Sequence, residues 1–479
     1  MPPELSSAPT KVDVLGKEAS SGPMRLFTWD EVTKACAVPS AEALSQATTS
    51  ADIASTQAAR EIRAGRRCLL ILHDKVYDVT SFVPRHPGGP LIMTYSGEDA
   101  ADAFQAFHPV GTFKMLAQYQ IGEIAPSERI PPSPFVAEMR ALRHRFQAEG
   151  LFEASKAYYA FKVLSTVAIV LLAGAVAHYW QTVPGAVVSA LLVALFWQQC
   201  GWLAHDFVHH QVFENRRLGD LFGYMIGNFF QGFSVAWWKN KHNTHHAIPN
   251  VHKADPDVDL MPLLAWSEHA LEAFVEGDVQ GMSKILIDHQ NFFYPLLLSF
   301  ARLSWAIQSV IYVQTAADVP NRGLEALGLL GHWALLIIFS VLLTGPWRAL
   351  IIFMVSNVAC GLLLASVFSL NHNGMPILDA EENRSYDFFT RQIITGRDVH
   401  PSVFNTWFTG GLNYQIEHHL FPSIPRHNFH RIQPRVAELC RKYNVPYHTA
   451  GLISGTVEVF KRLAEVAHAS RQVSGPKTD

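Results

Sequence analysis

Four long stretches of this chain contain no Asp, Glu, Lys or Arg, and they constrain its fold more than any other feature. They span residues 163–180, 185–204, 326–344 and 349–370. Each is close to the 17–25 residues that a helix needs to cross the hydrocarbon core of a bilayer. They form two pairs, with only a few residues between partners. Buried helices of a large soluble protein are the alternative, but paired charge-free runs of this length favour two transmembrane hairpins.

Four spans return the chain to the side of the membrane on which it began. The residues before 163, the segment 205–324 and the tail from Asn371 should therefore share one face. Lys and Arg accumulate beside the spans on that face, which the positive-inside rule assigns to the cytosol. No cleavable signal is predicted, because residues 1–23 lack an apolar core.

Two further apolar stretches, 221–238 and 292–313, are hydrophobic enough to suggest spans. The first contains Asn228 and Gln231, and the second contains Arg302. Interfacial helices fit these polar residues better than spans do. If only one stretch crossed, the histidine groups on either side of it would lie on opposite faces of the membrane.

Composition excludes several other classes of protein. The net charge is 38 − 41 = −3 with neutral histidines, so no basic field exists to hold nucleic acid. The five cysteines are far apart and form no Cys-x-x-Cys pair, so neither a disulfide framework nor a thiolate zinc site is indicated.

The chain ahead of the spans has the composition of a soluble domain. We predict a disordered segment over 1–23, a domain over 24–124, and a linker with an interfacial helix over 125–158. The membrane domain should follow over 159–467, with a flexible tail over 468–479. Residues 68–79 read as a β-hairpin with Asp74 at its turn.

Two histidines in the soluble domain have the surroundings of haem ligands. His86 opens the sequence His-Pro-Gly-Gly, and His108 follows 22 residues later in Phe-His-Pro. Two neutral imidazoles on separate turns suit a six-coordinate haem iron that carries electrons. With Tyr77-Asp78-Val79 before them and 97–104 between them, they resemble the cytochrome b5 domain. This resemblance implies a small α+β domain that binds haem b through His86 and His108.

The remaining histidines of interest form three short groups next to the spans. The groups are His205-Asp206-Phe207-Val208-His209-His210, His242-Asn243-Thr244-His245-His246, and Gln415-Ile416-Glu417-His418-His419. On a helix, residues three and four apart share one face, where two imidazoles can bind one metal. One such group could be a surface cluster, but three on the same predicted face favour a metal site.

The type and number of ligands narrow the choice of metal ion. Zinc is usually satisfied by three or four ligands, and eight imidazoles exceed that number. Imidazole also suits iron, and two irons with such ligands could activate O2 without haem. A haem carrier on the same chain would supply the electrons.

With these motifs, H-x3-HH, H-x2-HH and Q-x2-HH, the chain from 27 to about 467 resembles the front-end acyl-lipid fatty acid desaturases. The resemblance implies an all-α integral membrane domain with a cytosolic histidine-box cap after the haem domain. Gln415 would be an iron ligand or would hydrogen-bond a water or imidazole beside it, and His372 is either a further ligand or a polar helix end. The implied iron ligands are His205, His209, His210, His242, His245, His246, His418 and His419.

The resemblance also implies an activity. Such enzymes use O2, two non-haem irons and haem b to insert a cis double bond between an existing one and the carboxyl end of a phospholipid-linked or CoA-linked acyl chain. Electrons would come from NADH through a separate cytochrome b5 reductase, since no G-x-G-x-x-G element follows a strand. The expected location is the endoplasmic reticulum membrane.

The position of the new double bond is a finer expectation. Residues 388–417 look most like fungal delta-6 desaturases, which favours linoleoyl and alpha-linolenoyl chains. The alternatives are delta-5 action on a 20-carbon chain, delta-8 desaturation of a sphingolipid, hydroxylation on the same di-iron scaffold, and a non-catalytic membrane haem carrier.

Overall fold

The computed structural model describes residues 24–40, 57–109, 111–275, 281–317 and 319–473. The segment predicted to be disordered, 1–23, lies outside these residues, as does 474–479. The described chain divides into two compact units. The smaller comprises the residues up to Val83 with Tyr95–Ala101 and Val110–Ile130, and the larger comprises Pro84–Thr94, Asp102–Pro109 and the chain from Pro131 onward.

The smaller unit is built on a four-stranded sheet. Its strands are β1 (Arg25–Phe27), β2 (Leu69–Leu72), β3 (Lys75–Asp78) and β4 (Gln120–Ile124), in the order β1-β4-β3-β2. Strands β2 and β3 form the predicted antiparallel hairpin, and His73 and Asp74 turn it with φ of 51° and 64°. Phe27, Ile71 and Ile124 are buried in its core.

Short helices complete this region of the chain. They are α1 (Trp29–Cys36), α2 (Gln57–Arg63), α3 (Ala101–Phe107) and α4 (Thr112–Leu116). Thr28 and Glu31 form a capping box at the start of α1, which satisfies two backbone N–H groups that the helix cannot. Helix α5 (Pro134–Ala148) then opens the continuous part of the larger unit, with Ser133 as its N-cap.

Four helices of the larger unit are long and apolar enough to cross a membrane. They are α6 (Lys156–Tyr179), α7 (Val183–Val208), and, after the intervening helices, α14 (Arg322–Thr344) and α15 (Pro346–His372). Large apolar side chains such as Leu171 and Leu342 are exposed on them, as lipid-facing positions require. Helices α7 and α15 continue beyond the charge-free stretches 185–204 and 349–370.

The stretch 221–238 does not form a span. It is divided among α8 (Arg216–Gly223), a π-helix over Tyr224–Gln231, and α9 (Val235–Ala247). Gly232 ends the π-helix with φ of 86°, a conformation that favours glycine. A Cβ there would also lie 2.5 Å from the His332 ring. The structure therefore agrees with the prediction that this stretch does not cross.

The stretch 292–313 is divided as well. Helices α10 (Glu272–Val275) and α11 (Met282–Asp288) precede α12 (Gln290–Ser299) and α13 (Ala301–Thr315), and the last two are bent by 62°. By length and composition alone this bent pair would count as a fifth span. At the bend, a Cβ on Gly361 of α15 would lie 2.7 Å from the Leu298 carbonyl oxygen, so the two backbones are in close contact.

The carboxyl-terminal cap holds a small parallel sheet, β5 (Arg397–Val399) with β6 (His448–Ala450). Its helices are α16 (Ala380–Ser385), α17 (Phe388–Ile394), α18 (Val403–Phe408), α19 (Gln415–Leu420), α20 (Phe429–Lys442) and α21 (Leu452–Gln472). Helix α21 corrects one predicted boundary. The tail expected from 468 begins inside this helix, because Val466, Ala467 and Ser470 are buried and continue its packing face.

Candidate metal centre and haem site

The predicted histidines converge into two groups in the larger unit. Within each group, one nitrogen from every ring lies within 4.8 Å of the others. Group one contains His205, His209, His242, His246 and His418, and group two contains His245, His372 and His419.

Four elements supply these side chains. Helix α7 carries His205 one turn from its end, and His209 caps that helix. Helix α9 contributes to both groups, because its adjacent residues 245 and 246 point in different directions around the helix. His372 is the last residue of α15, and α19 adds 418 and 419, which again divide between the groups.

In group two, the second ring nitrogen of each histidine shows where the proton resides. The Nδ1 of His372 lies 3.0 Å from the Thr395 carbonyl oxygen, which can only accept, so Nδ1 must donate. The Nδ1 of His245 donates in the same way to Asp255 Oδ2 at 2.8 Å, and that of His419 to Gln392 Oε1 at 2.8 Å. In their neutral forms, all three rings therefore carry a lone pair on Nε2.

These lone pairs point at one another. The Nε2 of His372 lies 3.2 Å from that of His245 and 3.1 Å from that of His419. Buried lone pairs at this separation repel unless the two nitrogens share a proton or bind one metal ion, so the residues fit a metal ion. Nitrogen ligands of this type suit iron.

Group one leads to the same conclusion. The Nε2 of His242 lies 2.9 Å from that of His209 and 3.0 Å from that of His246. His205 Nε2 and both ring nitrogens of His418 are buried without a hydrogen-bond partner. Unsatisfied buried imidazole nitrogens are costly, and a second cation would satisfy them.

Electrostatics favours neutral rings at both groups. Burial lowers the pKa of His242, His246, His418 and His419 well below the ordinary value. His245 differs, because Asp255 outweighs the effect of burial and raises its pKa. A metal ion would displace that proton from Nε2, while Asp255 continues to accept the hydrogen bond from Nδ1.

Gln415 contacts group two through its amide. Its Nε2 lies 2.8 Å from His372 Nε2, and its Oε1 accepts a hydrogen bond of 2.8 Å from Asn371 Nδ2. In this orientation Gln415 presents an N–H group to the histidines and directs its oxygen to Asn371. The arrangement corresponds to the hydrogen-bonding alternative that the sequence left open for this residue.

His210 does not join either group, which changes the predicted ligand set. Helix α7 ends at Val208, and His210 has φ of 58°, so the chain turns away from the face that carries His205. Its Nε2 lies instead 3.9 Å from Asp220 Oδ1. Because the helix ends at Val208, His210 no longer lies on the helical face that carries His205.

A buried ion pair fixes the end of α7. Asp206 accepts hydrogen bonds from Tyr159 Oη at 2.9 Å and from Arg426 Nε, and Arg426 also donates to the Trp202 carbonyl. Although burial lowers the pKa of Arg426, Asp206 raises it above the ordinary value, so the guanidinium stays charged. Arg426 lies 220 residues from Asp206 and ties the cap to the first histidine group.

Two buried carboxyl groups hold α19, the helix that carries His418 and His419. Asp398 accepts a hydrogen bond from Ile416 N at 3.0 Å, and Tyr447 Oη lies 2.8 Å from Glu417 Oε1. Burial raises the pKa of Asp398 to about 6 and raises that of Glu417 well above its usual range. This cluster therefore anchors α19 to β5.

One cavity of about 350 Å³ reaches both metal groups. It is lined by His205 and His242 of group one, by His245 and His372 of group two, and by Gln415. Most of its other walls are apolar, including Leu297, Leu364 and Phe368. Trp238 lines it as well and stacks on His242, with ring centroids 4.2 Å apart. Such a cavity can hold an alkyl chain against the metal ligands.

The two histidines predicted to bind haem lie together in the larger unit. Their ring centroids are 6.0 Å apart. His86 Nδ1 donates to the Gly89 carbonyl at 3.1 Å, and His108 Nδ1 donates to the Phe104 carbonyl at 3.0 Å. Burial lowers the pKa of His86, and that of His108 to about 4, so both rings are neutral with lone pairs on Nε2. This state is the one that binds haem iron.

The sequence indicated Asp206 and Glu417 as residues that could orient neighbouring histidines, but it did not indicate the more distant partners. Gln392 and Thr395 lie 27 and 23 residues from the histidines that they contact, and Arg426 lies 220 residues from Asp206. Asp255 and Asp257 lie 2.8 Å and 3.7 Å from His245 Nδ1, and nothing in their local sequence predicts this contact. Among the ligands outside the three motifs, His372 could be predicted from the sequence, because it lies just after the apolar stretch 349–370.

The fold and the site together define a class of protein. Two buried histidine groups lie at the ends of membrane helices, and a second pair of neutral histidines suits haem. These features describe an integral membrane oxidoreductase with a di-metal centre and a haem electron carrier. The particular family follows from comparison with known proteins.

Residues 180–451 match the fatty acid desaturase family, and residues 55–125 match the cytochrome b5-like haem/steroid binding domain. An acyl-lipid (9-3)-desaturase of Physcomitrium patens is 43% identical over 85% of this chain and 76% of its own length. A delta(8)-fatty-acid desaturase of Euglena gracilis is 35% identical over 85% and 97%. A delta(6)-fatty-acid desaturase of Caenorhabditis elegans is 35% identical over 82% and 94%.

The chain therefore belongs to the fatty acid desaturase family and carries a fused cytochrome b5-like domain. The predicted resemblance, the fold class and the cofactors, haem with a di-iron centre and O2, are confirmed at the level of the family. Its relatives act at different positions of the acyl chain, so the family alone does not fix the position of the new double bond.

Proposed function

We propose that this protein is a delta-6 front-end desaturase acting on linoleoyl and alpha-linolenoyl chains. The apolar cavity whose walls include histidines of both metal groups supports action on an alkyl chain, and the resemblance of residues 388–417 to delta-6 desaturases supports the position. A saturated segment held there lies against the metal ligands while the rest of the chain stays in an apolar environment. Delta-5 action on a 20-carbon chain and delta-8 action on a sphingolipid are the alternatives within the family.

We propose the following roles for the site residues. The five histidines of group one and the three of group two hold the two irons, and Gln415 orients a small molecule beside group two through its N–H. When bound, the iron pair supplies the activation of O2 and the removal of two hydrogens from adjacent carbons. The chain's own residues keep the imidazoles neutral, direct their Nε2 atoms inward, and exclude water with Trp238 and the leucines of the cavity.

The haem pathway and location are parts of the same proposal. His86 and His108 bind haem b, and an NADH-dependent cytochrome b5 reductase reduces it. We place the haem domain at 24–124, the linker at 125–158 and the desaturase domain from 159 to the end of α21. The four spans would lie in the endoplasmic reticulum membrane, with the haem domain and histidine groups in the cytosol.

The test is expression of the full chain in a yeast that lacks polyunsaturated lipids. With linoleate supplied, we expect a new double bond at carbon 6, located by mass spectrometry of derivatised acyl chains. A 20-carbon substrate with the first double bond at carbon 8 tests delta-5 action, and long-chain base analysis tests delta-8 action. Folded, haem-loaded protein that adds no double bond to any of these would overturn the proposal, and an added hydroxyl would indicate a hydroxylase.

A further inference from the structure

The cavity at the metal groups has one charged patch. Among the described residues that line it, Lys241 and Asp257 alone carry a formal charge, histidines aside. Their side chains form an ion pair, with Nζ 3.0 Å from Oδ1. Both are partly exposed, at 24% and 39%, so the patch lies where the cavity meets the surroundings of the protein.

Helix α9 carries Lys241 on the same face as one of the metal ligands. Trp237, Lys241 and His245 follow one another at intervals of four and all line the cavity. The Cα atoms of Lys241 and of His245 in group two are therefore about 6 Å apart along the helix axis. It also directly precedes His242 of group one.

An ammonium group has more donors than this ion pair uses. Lysine carries three N–H donors and no acceptor, and the contact with Asp257 engages one of them. At the rim of an otherwise apolar cavity, the remaining donors suit an oxygen that enters together with an alkyl chain. In an acyl lipid, the carbonyl oxygen of the ester or thioester is such an oxygen.

The length of an acyl chain, measured from its carboxyl carbon, matches this spacing along α9. Six carbons of an extended alkyl chain span about 6 Å, given C–C bonds of about 1.5 Å and tetrahedral angles. This is close to one helical turn. A carbonyl held near Lys241 would therefore place carbons six and seven close to the histidines of α9, where a delta-6 enzyme must act.

We infer that Lys241 binds the acyl carbonyl oxygen of the substrate and sets the distance from the carboxyl end at which the double bond is made. The inference rests on the proposed function for its substrate class. Lys241 is a positioning residue in this scheme, and Asp257 holds its ammonium group at the rim.

A chemical double-mutant cycle tests the contact. Yeast membranes that contain the full-length chain receive NADH and two glycerolipids, one with an ester-linked linoleoyl chain and one with the matched ether-linked chain, which lacks the carbonyl. We expect the wild type to desaturate the ester at least about tenfold faster, the size of one charge-assisted hydrogen bond. Lys241→Met should lower the ester rate and bring the ester-to-ether ratio close to one.

Further variants separate this role from a structural one. Lys241→Gln keeps a neutral donor and should give an intermediate ratio, which also covers the case in which Lys241→Met fails to accumulate. Asp257→Asn keeps the ammonium group but removes its ion-pair partner, so the ester preference should fall less than it does in Lys241→Met. An ester-to-ether ratio in Lys241→Met and Lys241→Gln equal to that of the wild type would overturn the inference.

The proposed function can fail separately from the inference. If the wild type makes its double bond on the methyl side of the existing one, the front-end assignment is wrong, yet the ratio still reports on Lys241. If the enzyme uses only CoA thioesters, the same ratio is measured with a thioether analogue that lacks the carbonyl. Haem absorbance and iron content, measured for every variant, confirm that the compared proteins are equally loaded.

Discussion

Three acceptors that are remote in sequence determine how group two presents its nitrogens. Asp255, Gln392 and the Thr395 carbonyl each take the Nδ1 proton of one histidine, so that Nε2 faces the metal position. Gln392 also donates through Nε2 to the His246 carbonyl at 2.8 Å, so one side chain links both groups. These three hydrogen bonds therefore set the orientation of the imidazoles.

We predict that Gln392→Leu weakens metal binding at group two. Loss of the acceptor for His419 Nδ1 should reduce iron affinity by about 10- to 100-fold. Iron per protein, measured by elemental analysis after dialysis against a mild chelator, should fall while haem absorbance is unchanged. Gln392→Glu keeps an acceptor for Nδ1 and is the matched control. Equal iron retention in both variants would contradict this role.

The histidines were predictable from sequence, but their partners were not. A motif such as H-x2-HH is local, and helical spacing brings its members to one face. Gln392 and Arg426 reach their histidine groups only through the tertiary fold. His210 was predicted to be a ligand because its spacing fits the motif, but α7 ends before it and the chain turns it away from the group.

At the scale of elements, the membrane helices also serve as supports for the metal ligands. Helix α7 extends past residue 204 to carry His205, and α15 extends past 370 to carry His372. Charge-free runs predicted the spans but not these extensions, since the added turns contain polar residues. The position of α15 is set in turn by its backbone contact with the bend between α12 and α13.

We predict that Gly361→Ala destabilises the protein. A Cβ there would lie 2.7 Å and 2.8 Å from the carbonyl oxygens of Leu298 and Ser299, and backbone cannot move aside cheaply. Overpacking of this kind typically costs about 1–3 kcal/mol. Gly174 is the matched control in another membrane helix, because a Cβ there meets nothing within 4 Å.

The measurement is loss of the monodisperse peak on size-exclusion chromatography after heating in detergent. Gly361→Ala should lose the peak several degrees below the wild type. Gly174→Ala should match the wild type or exceed it slightly, since alanine is the better helix former. Similar behaviour of the two variants would mean that the close approach at the bend is not a packing constraint.

For the whole molecule, the sequence predicted two kinds of iron chemistry on one chain, and the structure keeps their ligands separate. His86 and His108 share no ligand with the eight histidines of the metal groups. The composition and spacing of the two regions were sufficient to predict both. The sequence could not predict how the eight histidines divide into five and three, because adjacent residues of α9 and α19 belong to different groups.

We predict that the two cofactors can be removed independently. His108→Ala should abolish the haem Soret band while iron at the histidine groups is retained, and desaturation should stop for lack of electrons. His418→Ala should lower non-haem iron and stop desaturation while the Soret band remains. His73→Asn, at an exposed turn with φ of 51°, is a control that should preserve both cofactors.

Activity that survives His418→Ala at the wild-type level would support the non-catalytic alternative, in which the histidine groups play no part in chemistry. Simultaneous loss of both cofactors in either histidine variant would show that the two sites depend on each other for folding. Absorbance spectra and elemental analysis on the same preparation decide between these outcomes.

The division of ligands among α7, α9, α15 and α19 also governs the order of biogenesis. A ribosome releases His205, His209, His242 and His246 long before His418 is synthesised, so a nascent chain at that stage holds group one without its last member. Group two lacks two of its three members until α15 and α19 have been made, because His372 ends α15 and His419 lies in α19. The complete ligand sets of both groups therefore exist only late in synthesis.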